Sequence, residues 1–211
     1  DDLRLTVVDR LLDANDPRIA AALSRALESE HEELRLRAAV GLAQRGEPLA
    51  LDVLATALNA EARIANRALE ALVALAHARP NEQVAAQAAE AVTARLEDDP
   101  DQTADRPALL RALGRIGHIA AAPLLGRWLL DKDKAAQHGL ALDVLLQLLR
   151  DAVQPEQTRA DGRHYPRYRE EVALQALPPL LDHDNAAIRT RVVEVLGNLE
   201  AKPAETLLVR L

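Results

Sequence analysis

The stretch ELRLRAAVGLAQRGEPLALDVLATAL, residues 33–58, contains one complete unit of the pattern that determines the fold. Apolar side chains recur three and four positions apart on both sides of a polar turn, which is the spacing of amphipathic helices. Gly46 lies in that turn, where a glycine fits the left-handed conformation that commonly ends a helix. The stretch therefore predicts two antiparallel helices joined by a short connection.

The same pattern recurs along the chain, for example in residues 105–133 and 186–211. A leucine at the centre of each first helix marks the unit: Leu11, Leu42, Leu72, Leu113, Leu145 and Leu196. Three of the spacings between these marker leucines are close to 31 residues, and two are longer. Self-similarity over a few tens of residues indicates a helical solenoid, and the longer spacings indicate insertions.

We therefore predict an all-α fold, a right-handed α-solenoid of about six antiparallel helix pairs. The expected units are residues 1–30, 31–60, 61–101, 102–133, 134–184 with an insertion at about 151–170, and 185–211. The chain starts without methionine and ends on an unfinished apolar pattern, so we expect a segment of a longer protein. Terminal repeats without caps expose apolar faces, which predicts end-to-end self-association or a neighbouring domain over Leu207, Leu208 and Leu211.

Composition limits the classes of partner. Net charge is −7 and the sequence pI is about 5.4, which disfavours general binding to nucleic acid or to an anionic membrane surface. Apolar residues make up 49% of the chain and aromatic residues 1%, and there is no cysteine. A chain without disulfides is compatible with the cytoplasm, which is the expected compartment. No apolar run is long enough to predict a membrane span.

Three phrases carry a family resemblance: RALGRIG at 111–117, AAAPLLGRWLLDKD at 120–133 and DHDNAAIRTRVVEVLGNL at 182–199. They resemble HEAT repeats of the bacterial HEAT-like type, the short repeats that phycobilin lyases also contain. The resemblance implies that second helices line a concave face and first helices a convex face. It implies little about function, because such repeats serve many unrelated tasks.

An arginine recurs seven residues before the marker leucine, at Arg4, Arg35, Arg106 and Arg189. Ala65 and His138 interrupt this series. We interpret these arginines as a structural ladder that ties neighbouring repeats rather than as ligand-binding residues.

The sequence contains no catalytic motif that we recognise. It has no glycine-rich phosphate loop and no H-E-x-x-H, and neither Ser24 nor Ser29 lies in a G-x-S-x-G. His31-Glu32 is a single His-Glu pair, whereas the HEAT-like deoxyhypusine hydroxylases hold iron with several. We predict no enzymatic activity, no cofactor and no metal site.

Two features stand out as binding candidates. Arg and Tyr, the residue types enriched at interface hot spots, are concentrated in the insertion, at Arg159, Arg163, His164, Tyr165, Arg167, Tyr168 and Arg169. A polar surface loop without a specific role is the alternative interpretation. Trp128, the single tryptophan, either packs in the core, which we favour, or lies on the concave face as an anchor.

The predicted function is a non-catalytic scaffold that binds a protein or peptide through the concave face, the insertion, or both. The basic insertion favours an acidic or phosphorylated segment. Two alternatives remain open: an accessory or lyase-type protein that acts on a chromophore-bearing or other protein partner, and a protein that binds nucleic acid through the insertion.

Overall fold

A computed structural model of the chain describes residues 18–78, 81–98, 105–153 and 176–198. Within these ranges the backbone forms helices and no β-strand, which confirms the predicted all-α class. The helices are α1 (Arg18–Ala26), α2 (Glu32–Gln44), α3 (Leu51–Ala57), α4 (Ala62–Ala78), α5 (Glu82–Glu97), α6 (Arg106–Ile116), α7 (Ala122–Leu130), α8 (His138–Val153), α9 (Pro178–Leu181) and α10 (Ala186–Asn198). Short 3-10 helices lie at Pro48–Ala50, Ile119–Ala121 and Lys132–Gln137.

The chain forms two compact units, unit 1 over Asp1–Pro100 and unit 2 over Asp101–Leu211. Helices α1 to α5 belong to unit 1, and α6 to α10 belong to unit 2. The division into six repeats of one continuous array stays a prediction.

Unit 1 is built in two layers of helices. Helix α2 packs against α1, α3 and α4, and α4 packs against α3 and α5. Helices α3 and α5 also contact each other. Because consecutive helices are joined by short turns, they run antiparallel. Helices α2 and α4 are thus the first helices of their pairs, and α3 and α5 are the second helices.

Unit 2 repeats this arrangement. Its first helices α6, α8 and α10 pack in sequence, and its second helices α7 and α9 contact each other. Helix α7 approaches the chain before α9 closely, since a Cβ added to Gly126 would lie 3.2 Å from the Ala176 carbonyl oxygen. A larger residue at position 126 would force these two segments apart.

Glycine and proline set the helix ends. Gly46 and Gly117 both have a φ of 70°, in the left-handed region that the sequence predicted for residues that end a first helix. Pro107 and Pro123 lie in the first turns of α6 and α7, where the missing N–H costs no helical hydrogen bond. Pro178 begins the four-residue helix α9, where its missing N–H likewise costs no helical hydrogen bond.

The core of both units is aliphatic. All the described marker leucines have no exposed surface: Leu42, Leu72, Leu113, Leu145 and Leu196. Further leucines, together with alanine, valine and isoleucine, fill most of the remaining core. Full burial of one leucine is worth about 1.5–3 kcal/mol, so the marker positions contribute strongly to the stability of each unit.

Polar contacts also join neighbouring first helices. The Glu33 carboxylate on α2 accepts hydrogen bonds from Arg37 Nε at 2.8 Å and from Arg67 Nη1 on α4 at 3.0 Å. The hydrogen bond from Arg37, reinforced by that from Arg67, holds the pKa of Glu33 below its ordinary value, although partial burial opposes this effect. The carboxylate therefore stays ionised between two guanidinium groups.

Unit 2 has its own contacts of this kind. Arg191 Nη2 on α10 lies 2.6 Å from Asp143 Oδ1 on α8, and Gln147 Nε2 on α8 donates to the Gly114 carbonyl on α6 at 3.2 Å. Each contact links a first helix to the first helix before it. These polar contacts therefore join the same helices that pack against each other through their apolar side chains.

Replacement of a marker leucine should destabilise the protein strongly. We expect Leu42→Ala to lower the free energy of unfolding by about 2–5 kcal/mol, because it leaves a cavity between α2 and its neighbours. Leu49, in the same unit, is 63% exposed, so Leu49→Ala should change the free energy of unfolding by less than about 0.5 kcal/mol. Urea unfolding followed by far-ultraviolet circular dichroism measures both. Equal losses in the two variants would contradict the packing described for α2.

The Glu33 contact should make stability depend on pH. Because its folded-state pKa is lowered, Glu33 contributes stability above its unfolded pKa, about 4.3, that is lost as pH falls through the folded value. Between pH 7 and pH ~3 the wild type should lose about 0.5–1 kcal/mol more than Glu33→Gln. Urea titrations at both pH values measure the difference. The control Glu90→Gln removes an exposed carboxylate of α5 and should retain the wild-type pH dependence.

Candidate functional site

Several predicted site residues lie outside the described ranges: Arg4, Arg159, Arg163, His164, Tyr165, Arg167, Tyr168 and Arg169. Their binding or ladder roles stay predictions. The other predicted residues, Arg35, Arg106, Arg189 and Trp128, lie within the described ranges, and in unit 2 the Arg106 guanidinium lies beside the Trp128 ring. Arg35 belongs to unit 1, and the other three belong to unit 2.

Trp128 lies on α7 and is 2% exposed, so it packs in the core of unit 2, which the sequence analysis favoured. The Arg106 guanidinium carbon lies 5.8 Å from the centroid of its ring, and Lys134 Nζ lies 4.8 Å from it. Cation–π contacts of this kind contribute about 0.5–2 kcal/mol. The indole N–H is buried and has no hydrogen-bond partner among the described residues. The binding role of Trp128 stays a prediction.

Asp131 holds Lys134 beside the tryptophan ring. Lys134 Nζ lies 3.1 Å from Asp131 Oδ2, and Asp131 Oδ1 accepts a hydrogen bond from the Asp133 backbone N–H at 3.0 Å. The bond from Lys134, followed by that from Asp133, holds the pKa of Asp131 below its ordinary value. The carboxylate therefore stays charged and positions the ammonium group over Trp128.

Arg35 and Arg189 make the same contact in the two units. Arg35 Nη1 donates to the carbonyl oxygens of Ser29 and Glu30, at 2.7 and 2.9 Å. Arg189 Nη1 donates to the carbonyl oxygens of His183 and Asp184, at 2.5 and 3.0 Å. Each guanidinium therefore binds the turn that connects the preceding helix pair to its own helix. The identical sequence offsets, six and five residues, explain why an arginine recurs at this position.

His138 occupies the position of the missing arginine in the fifth unit. Its Nε2 lies 2.9 Å from the Asp131 carbonyl oxygen, in the turn before α8, and must donate because a carbonyl only accepts. His183 lies against it, with ring centroids 5.8 Å apart. His183 donates from Nε2 to the Leu129 carbonyl at 2.6 Å and accepts from the Asn185 backbone N–H at Nδ1 at 2.9 Å. The two imidazoles thus fix the C-terminal end of α7.

A second arginine series was missed by the sequence analysis. Arg37, Arg67 and Arg191 lie five residues before their marker leucines, and each binds an acidic residue on a first helix. The signal was present as an R-x-R pair in two units, at Arg35 and Arg37 and again at Arg189 and Arg191. The acceptors, Glu33 and Asp143, occupy different positions in their units, so no sequence offset identified them.

One pocket of about 230 Å³ lies between α2, α3 and α4 in unit 1. Its lining consists of Glu32, Arg35, Leu36, Asp52, Val53, Thr56, Ala57 and Ile64. Four of these side chains are apolar, and the carboxylates of Glu32 and Asp52 are exposed at the mouth. The lining therefore combines apolar side chains with two carboxylates and the guanidinium group of Arg35. We name it the α2–α3–α4 pocket.

The outward faces of α3 and α5 carry carboxylates and uncharged polar groups. We call this the second-helix surface, and its exposed residues include Asp52, Thr56, Gln83, Gln87, Glu90 and Glu97. Neither helix exposes a lysine or an arginine. Arg95, the arginine of α5, is half-buried and donates from Nε to the Leu58 carbonyl at 3.1 Å. The second-helix surface is therefore negatively charged at neutral pH.

Two further findings concern the described residues alone. No group of three or more histidine, aspartate or glutamate side chains is arranged to hold a metal ion in residues 18–78, 81–98, 105–153 and 176–198. No helix in those same ranges is sufficiently long and apolar to cross a bilayer.

The two kinds of arginine contact should differ in strength. We expect Arg189→Met to lower the free energy of unfolding by about 1.5–3 kcal/mol, because it removes charge-assisted hydrogen bonds and leaves the turn carbonyls without their donor. Arg191→Met on the same helix removes a more exposed ion pair, with Arg191 44% and Asp143 57% exposed, and should cost less than about 1 kcal/mol. Chemical unfolding compares the two variants. A larger loss for Arg191→Met would contradict the turn-anchoring role of Arg189.

Comparison with known proteins identifies the type of fold. No protein-family model matches the chain, and no curated protein matches it. Among solved structures it is similar to an archaeal HEAT-like repeats protein from Thermococcus onnurineus NA1, with a TM-score of 0.50 and 21% identity over 93% of this chain and 75% of that one. It also matches an engineered protein, with a TM-score of 0.44 and 18% identity over 90% of this chain and 84% of that one. The layered helix pairs and the likeness to the archaeal protein show that the chain has a HEAT-like repeat fold.

Proposed function

We propose that this protein is a non-catalytic scaffold that binds a protein or peptide partner, and that the second-helix surface of unit 1 is a principal contact. The observation that carries the proposal is the separation of the two sides of α3 and α5. Their inward side chains pack in the core, whereas their outward side chains form a continuous polar surface that makes no contribution to it.

The shape of a helical repeat supports this role. Successive second helices present outward side chains at regular intervals, so a partner can contact several repeats at once. The resemblance to HEAT repeats implies that second helices line a concave face. The surface on α3 and α5 therefore corresponds to the groove that the sequence analysis predicted as the binding face.

The charge of the second-helix surface favours a partner segment of opposite charge. The second-helix surface carries the carboxylates of Asp52, Glu90 and Glu97 and exposes no cationic side chain. Such a surface attracts basic segments and repels the phosphates of nucleic acid. The insertion at Arg159 to Arg169 has the opposite charge, so we retain it as a second candidate contact, one that would suit an acidic or phosphorylated segment.

The experiment that tests this proposal is affinity capture from a cell extract, with the captured proteins identified by mass spectrometry. The first variant, Gln87→Lys with Glu90→Lys, reverses the charge of α5 on the second-helix surface. The second variant changes Arg163, Tyr165, Arg167 and Tyr168 to alanine. A control variant, Asn66→Lys, adds a positive charge to the exposed side of the first helix α4.

We expect the α5 variant to lose a captured protein by tenfold or more, while the control retains it and circular dichroism shows equal helix content for all three. Loss in the insertion variant alone would move the principal contact to the insertion. Capture that is the same for the wild type and both variants would contradict binding at either surface.

A further inference from the structure

The α2–α3–α4 pocket offers a more specific recognition site than the surrounding surface. Among its apolar lining side chains, Leu36 is buried, and Val53, Ala57 and Ile64 are half-buried. These walls suit a flexible aliphatic chain. The volume of about 230 Å³ is sufficient for one long side chain of a partner.

The side chains that line the pocket carry more negative than positive charge. Glu32 on α2 and Asp52 on α3 are both exposed, and neither carboxylate forms an ion pair or hydrogen bond with the described residues. Arg35 is the single cationic residue in the lining, and its Nη1 is engaged by the carbonyl oxygens of Ser29 and Glu30. The lining therefore carries two carboxylates against one guanidinium group, and neither carboxylate is paired with a cation among the described residues.

Thr56 adds a further acceptor beside the carboxylates. Its Oγ1 donates to the Asp52 carbonyl oxygen at 2.8 Å, which uses its hydrogen and leaves its lone pairs available. Three groups at the opening can thus accept hydrogen bonds, while the interior of the pocket is apolar. This is the environment that a lysine or arginine side chain requires, since its methylene stem is apolar and its charged end needs acceptors.

We propose that the α2–α3–α4 pocket receives a lysine or arginine side chain from the partner protein, with the stem against Leu36, Val53 and Ile64 and the cationic end between Glu32 and Asp52. The proposal rests on the scaffold function above and specifies the chemistry of its partner. Asp52 and Thr56 also belong to the second-helix surface, so the pocket is continuous with that surface. A basic segment on the negatively charged surface would place its side chains near the pocket.

The test uses the full chain and four synthetic pentapeptides with blocked ends, Ala-Leu-X-Leu-Ala, in which X is lysine, arginine, norleucine or glutamate. Norleucine keeps the aliphatic stem and removes the charge. Binding is followed by nuclear magnetic resonance of the methyl groups of Leu36, Val53 and Ile64. The variant Glu32→Gln with Asp52→Asn removes both charges at nearly constant shape, and Glu194→Gln, an exposed carboxylate of unit 2, is the control.

We expect saturable shifts at these methyl groups with the lysine and arginine peptides, with a dissociation constant on the order of 1 mM. The norleucine and glutamate peptides should bind at least about tenfold more weakly, and the double variant should lose a similar factor, because the charge-assisted hydrogen bonds are absent. The control Glu194→Gln, on the first helix α10 of unit 2, should bind as the wild type does, and added salt should weaken binding of the basic peptides.

Norleucine binding equal to lysine binding would overturn the proposal, because the carboxylates would then contribute nothing. Unchanged affinity of the double variant, shifts confined to other methyl groups, or no shift with any peptide would overturn it as well. These outcomes leave the scaffold proposal intact, since that depends on capture of a partner by the second-helix surface. If the α5 variant loses capture of the partner and none of the peptides binds, the scaffold proposal stands and the pocket proposal is wrong.

Discussion

Each helix pair can bury its apolar side only against the pairs beside it, and the rest of the structure depends on this constraint. An isolated pair of amphipathic helices leaves one face of its leucines in water, so the marker leucines depend on a neighbouring pair for full burial. The core is correspondingly built from leucine, alanine and valine, and its many alanines leave room for first helices to pack against first helices. Polar contacts such as Glu33 with Arg67 then join helices that the hydrophobic packing has already brought together.

The sequence predicted the features that depend on local chemistry. The spacing of Leu42 and Leu113 identified the buried centre of a first helix, and Gly46 and Gly117 identified helix ends, because both signals act within a few residues. The recurrence of Arg35 and Arg189 was visible for the same reason, since each binds carbonyls only five and six residues away. Local periodicity was therefore sufficient for the fold class and for the recurrence of these arginines, whereas the turn carbonyls that they bind were not predicted.

The sequence did not predict the features that depend on packing between pairs. The acceptors of Arg67 and Arg191 lie 34 and 48 residues away and at unequal positions in their units, so no repeat offset connects them. His138 was counted as a break in the arginine series, although its imidazole binds the preceding turn as the arginines do. The α2–α3–α4 pocket combines side chains from three helices, and its form depends on how closely those helices pack.

The position of Trp128 has a consequence for optical spectroscopy. All three strong ultraviolet chromophores of the chain, Trp128, Tyr165 and Tyr168, belong to unit 2, and unit 1 contains neither tryptophan nor tyrosine. Intrinsic fluorescence and near-ultraviolet signals therefore originate in one half of the molecule. A melting curve recorded by tryptophan emission reports on the surroundings of Arg106, Lys134 and α7, while unit 1 is silent and is detected through its helical backbone alone.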